Sequence, residues 1–81
     1  MYIEFSIPND ADIASLAFLV IRRRVVDWSN KYQIAYTEKT IKGKHRVCFE
    51  QDKYYEFFAL TFEQTHDFLQ FRIVSDLNNK I

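Results

Sequence analysis

Lys39, Lys42, Lys44 and Arg46 fall on either side of the chain's single glycine, Gly43. Cations spaced in this way around a turn can neutralise backbone phosphates and release their counterions, the chemistry of nucleic-acid binding. Arg22, first of the run Arg22-Arg23-Arg24, could extend such a surface, and Tyr32 and Tyr36 could stack bases if their rings are exposed. Residues 22 to 46 hold eight of the eleven Lys and Arg and two of the eleven acids, a net of +6, so the remainder carries −6. An overall charge of zero argues against indiscriminate polyanion binding, whereas a local basic surface can still steer a nucleic acid or an acidic partner.

The other reactive residue types form no comparable pattern. His45 and His66 have no cysteine or second histidine at metal-ligand spacing, and His66 beside Asp67 is not a catalytic dyad by adjacency alone. No phosphate-binding glycine loop or activated serine or cysteine pattern occurs, and one glycine leaves little for a flexible active-site lid. Glu50, Asp52 and Glu56 surround an expected hairpin, where carboxylates are ordinarily solvated. These residues predict a non-enzymatic protein with no catalytic residue, no metal and no cofactor.

The elements that must position the cations are read from periodicity. Residues 45 to 62, HRVCFEQDKYYEFFALTF, read as two β-prone runs around a Gln51-Asp52-Lys53 break, a hairpin at the centre of the fold. In its second arm both alternating faces are largely apolar, Tyr54, Glu56, Phe58, Leu60 and Phe62 against Tyr55, Phe57, Ala59 and Thr61, as in a central strand covered on both sides. In the first arm His45, Val47 and Phe49 alternate with Arg46, Cys48 and Glu50, one dry face and one wet. A short strand is expected at 2 to 7, ended by Pro8, and a second at 34 to 41 with its turn at Lys42-Gly43, where the glycine suits a positive φ.

Between these strands a helix is expected at 10 to 29. Asn9 or Asp10 can cap it, and Asp10 and Asp12 suit the positive end of its dipole. At about 100° per residue, Ala14, Ala17, Phe18, Ile21, Val25 and Trp28 form a face that should rest on the sheet. Leu19 and Val26 fall among the polar residues and suggest self-association through the helix back, or two scattered exposed hydrophobes. Arg23 can pair with Asp27 at i,i+4. After Phe62, Thr61 to Gln64 matches a capping box, while Phe68 to Val74 is rich in β formers. A short turn or helical piece at 62 to 67 and a last strand at 68 to 75 are preferred, with a frayed tail from Asn78 to Ile81.

Eighty-one residues make one domain, 1–81, in which an apolar fraction of 48% demands a dense core or a partner. The lone cysteine, Cys48, allows no intrachain disulfide and fits a reducing cytoplasm. The run Ala14 to Ile21 is too short to cross a bilayer, and acids before it with arginines after it reverse the charge order of a secretory signal. The predicted fold is α+β, an N-terminal helix on a bent antiparallel sheet of four to five strands. Two arrangements remain open, a small Sm-like or SH3-like barrel and a split β-α-β, ferredoxin-like one.

The stretches FSIPND, RRRVVDW, YTEKT and HRVCFEQDKYYEFFALTF resemble a family of small marine-metagenome proteins attributed to cyanophages. That resemblance implies a ring-forming Sm-like barrel in the host cytoplasm, with suggested nucleic-acid binding. The Sm family proper binds RNA through loop motifs that include a late Arg-Gly or Lys-Gly pair. The pair present here, Lys42-Gly43, lies in an early hairpin, so no RNA-binding residue is carried across. The leading expectation is a self-associating phage-type module that binds RNA or DNA through Lys39, Lys42, Lys44, Arg46 and Arg22. The alternative is a protein-interaction or host-takeover factor that binds a protein, such as one of the host, through Leu19, Val26 and a sheet edge, without nucleic acid.

Overall fold

The computed structural model describes residues 1–75, as β1 (Tyr2–Ser6), α1 (Ala11–Tyr32), β2 (Tyr36–Ile41), β3 (Lys44–Phe49), α2 (Lys53–Thr61), a 3-10 turn at Asp67–Leu69 and β4 (Phe71–Val74). It is α+β, with both helices against a four-stranded sheet in the order β2-β3-β1-β4. Neighbouring strands are antiparallel throughout. β1 and β2 therefore run parallel with β3 between them, and β3 and β4 run parallel with β1 between them. Each parallel pair is joined by a helix, which is the split β-α-β arrangement of the two left open by the sequence. Among the described residues the sheet does not close into a barrel: β2 and β4 are its edges.

Local signals place α1 well. The Asp10 carboxylate accepts from the backbone N–H groups of Asp12 (3.0 Å) and Ile13 (3.3 Å), satisfying donors that the first turn leaves open. The helix runs beyond the expected end at 29, because Tyr32 gains ring contacts with Trp28 and Phe57. It stops where Gln33 turns left-handed (φ 57°) and the Ser29 hydroxyl donates to the Ile34 carbonyl (2.6 Å). At the β2–β3 turn Lys42 and Gly43 both have positive φ, 43° and 78°, the combination that matches the twist of a two-residue hairpin.

The expected strand at 54 to 62 is instead α2. Its aromatics satisfy two periods at once, and the helical one wins: Tyr55, Phe58 and Phe62 are buried on one side, while Glu56, Ala59 and Leu60 face solvent. The place beside β3 that the hairpin reading gave to this segment belongs to β1, paired through Ile3↔Val47 and Phe5↔His45. A helix here lays three aromatic rings on rings already in the core. Phe58 stacks on Phe62 at 4.5 Å and meets Trp28 edge-on at 4.8 Å.

The core lies between the helices and one face of the sheet. Ile3, Phe5, Val47 and Phe49 from the strands meet Ala17, Ile21, Val25 and Trp28 from α1 and the aromatics of α2. The polar ends of Trp28 and Tyr55 are satisfied. The Trp28 indole N–H donates to Thr61 Oγ1 (2.8 Å), and the Tyr55 hydroxyl donates to the Met1 carbonyl and accepts from the Phe49 N–H, both at 2.8 Å. Leu69, expected in the last strand, is buried in the 3-10 turn that precedes β4. The expected tail at 78 to 81 lies outside the described residues. Among the described residues no helix is long and apolar enough to cross a membrane.

Candidate functional site

Strand alternation sends His45, Val47 and Phe49 into the core and Lys44, Arg46 and Cys48 to the opposite face of the sheet. Residues paired directly across antiparallel strands share a face. The register Lys39↔Arg46, Arg46↔Glu4 and Glu4↔Arg72 therefore lays one row across all four strands on the side opposite α1 and α2, which carries no helix among the described residues. Ile41, Lys44 and Ser6 form a second row, and Tyr2, Thr37, Cys48 and Val74 lie beyond the first. Among the described strand residues, four cations, Lys39, Lys44, Arg46 and Arg72, and one acid, Glu4, thus occupy this face, a net of 4 − 1 = +3.

Glu4 is the centre of the arrangement. It is only 3% exposed although it stands on the open face, because two guanidinium groups cover it. Arg46 donates through Nε (2.9 Å) to one carboxylate oxygen, and Arg72 donates to the other through Nε (3.0 Å) and Nη2 (2.7 Å). Burial alone would raise the carboxyl pKa; the hydrogen bonds and charges of Arg72 and Arg46 outweigh it and hold the pKa below the ordinary carboxylate range. Beside the clamp, the Arg46 guanidinium lies 4.5 Å from the centre of the Tyr2 ring. Lys44 Nζ donates to Ser6 Oγ at 3.0 Å. The result is a row of guanidinium and ammonium groups at fixed strand spacing, with one aromatic ring among them.

Of the residues singled out in the sequence, Lys39, Lys44 and Arg46 are brought together here, and Lys42 stands at the adjoining turn. Arg22 is on the other side of the sheet, where its Nε donates to Glu38 at 2.7 Å. Tyr32 and Tyr36 are also away from this face: Tyr32 packs on Trp28 and Phe57, and Tyr36 shares the helix side of β2 with Glu38. Leu19 and Val26 are exposed on the back of α1. Sequence reasoning missed Tyr2, Glu4 and Arg72. Their alternation was visible, Tyr2 and Glu4 against Ile3 and Phe5, but nothing local says that β1 lies between β3 and β4.

A second polar group is buried under β2. His45 is 1% exposed, with Nδ1 at 3.0 Å from Thr40 Oγ1, its ring edge-on to Phe18, and Nε2 at 3.6 Å from Glu38 without a hydrogen bond. Burial pushes its pKa down, and Arg22 adds to that while Glu38 opposes it. His45 is thus a neutral core residue and not part of the basic face. Among the described residues no three His, Cys, Asp or Glu side chains are grouped to hold a metal ion.

Comparison of the chain with protein-family models, with curated proteins and with solved structures gives no match.

Proposed function

We propose that the protein is a binding module for single-stranded nucleic acid, and that the helix-free face of the sheet is its contact surface. The observation that carries this reading is the row Lys39, Arg46, Glu4, Arg72, which crosses all four strands in register. A strand of nucleic acid laid along it would meet Lys39 and Arg46 one strand spacing apart, roughly 5 Å, and Arg72 about two spacings further on, beyond Glu4. Glu4 serves by orientation: it fixes both guanidinium groups by hydrogen bonds and removes the entropy cost of ordering them on binding. Tyr2, already under the Arg46 guanidinium, offers the ring on which an unpaired base can stack. A single strand suits a flat face of this kind because its bases are free to turn toward it.

The test is fluorescence anisotropy of labelled single-stranded RNA and DNA, with duplex controls, at low and moderate salt. Saturable binding is expected, with log K falling against log salt with a slope of about −2 to −3 if three or four phosphates are met. Arg72→Glu and Lys39→Glu should each weaken binding and reduce that slope, whereas Arg22→Gln, on the far side of the sheet, should leave both unchanged. Absence of binding even at low salt would sink the proposal and turn attention to a protein partner.

A further inference from the structure

On α1 the residues Asp12, Leu16, Leu19, Arg23 and Val26 recur at alternating spacings of four and three, the spacing of a coiled-coil seam. At about 100° per residue they form one stripe, opposite the buried Ala17, Ile21, Val25 and Trp28. Leu16 is 59% and Leu19 63% exposed, with Ile13 and Val26 also exposed at the margins. Single exposed leucines are ordinary, but two adjacent ones framed by opposite charges on a rigid helix are a patterned surface.

The order of charges identifies the occupant. We propose that the protein forms a two-fold dimer through the backs of two antiparallel α1 helices, Leu16 of each copy against Leu19 of the other and Asp12 against Arg23 of the other. Placing the two-fold axis midway between Leu16 and Leu19 creates this match at both ends, because each copy supplies one acid and one base. The same axis brings Ile13 toward Val20 of the other copy, widening the apolar strip. A parallel pairing would oppose Asp12 to Asp12 and Arg23 to Arg23 and is disfavoured by repulsion. Within one copy, among the described residues, Arg23 has a long contact with Asp27, 3.6 Å between two largely exposed side chains, so little is lost when it turns to another carboxylate. An anionic membrane is the poorer occupant, because Asp12 and Asp27 interrupt the arginines along and beside the stripe.

Sedimentation velocity of the full chain over a wide concentration range tests this. A reversible monomer–dimer equilibrium is expected, and Leu19→Glu should abolish it. Asp12→Arg or Arg23→Asp alone turns two attractive pairs into two repulsive ones and should weaken the dimer roughly tenfold. The double variant carries both changes, restores the pairing in reversed polarity, and should return to within about threefold of the parent. Because it contains both substitutions, its dimerisation also shows that neither prevents folding. A chain that stays monomeric, a dimer indifferent to Leu19→Glu, a double variant no better than the singles, or binding to anionic vesicles in place of self-association would each overturn the proposal.

Discussion

A buried carboxylate between two arginines ties the stability of the sheet to pH. Glu4 is nearly inaccessible and its carboxyl is held below the ordinary range by Arg72 and Arg46, so the folded chain binds fewer protons than the unfolded chain as acid is added. Its contribution to stability is therefore complete above the unfolded glutamate value and is lost as pH falls through the folded one. Glu4→Gln keeps the shape and removes the charge. Urea titrations should show the variant less stable by about 1 to 2 kcal/mol near neutrality, since hydrogen bonds to a charged partner are the stronger kind and both arginines stay partly hydrated. The difference should shrink to nothing once acid has protonated the parent. A gap that persists undiminished in acid would mean that Glu4 stabilises through packing alone. His45 works in the same direction, because a base with a lowered pKa also favours unfolding as pH falls below the ordinary histidine value.

At the scale of elements, α2 departs most from what its composition suggests. Tyr, Phe and Thr favour strands when judged one at a time, and the run from Tyr54 to Phe62 alternates well enough to pass for one. As a helix it places Tyr55, Phe58 and Phe62 inside and leaves Leu60 84% exposed. As a strand it would have put Leu60 on the same face as Phe58 and Phe62. Substitution separates the two: Phe58→Ala should cost about 3 to 5 kcal/mol by opening a cavity among Phe5, Phe49, Phe62 and Phe71, whereas Leu60→Lys should stay within about 0.5 kcal/mol. Chemical denaturation of both variants measures this, and a large loss at Leu60 would contradict the helix. α1, by contrast, was legible in its start and its buried face, though not in its last three residues, because Asp10 supplies a cap and its apolar positions keep one period for many turns.

For the whole molecule, both helices lie on one side of the sheet and the basic row on the other, so the proposed dimer and nucleic-acid surfaces point away from each other. The two activities should therefore be separable. Leu19→Glu should leave the affinity for a short single-stranded oligonucleotide within about twofold of the parent, with one oligonucleotide per chain, since no contact is shared and linking gains nothing when one strand cannot span both faces. A strong loss of oligonucleotide affinity in that variant, followed by anisotropy, would place the two surfaces in one site. The sequence by itself determined where α1 begins, that Lys42-Gly43 turns, and that Lys39, Lys44 and Arg46 flank that turn, because each of these depends on neighbours a few positions apart. Tertiary structure alone decided that 53–61 coils as a helix, that β1 runs between β3 and β4, and that Glu4 and Arg72 join Arg46 while Arg22 is turned to the far side. Those outcomes depend on strand order and on aromatic rings meeting across the core, and pairings between residues as distant in the chain as Glu4 and Arg72 leave no trace in local periodicity.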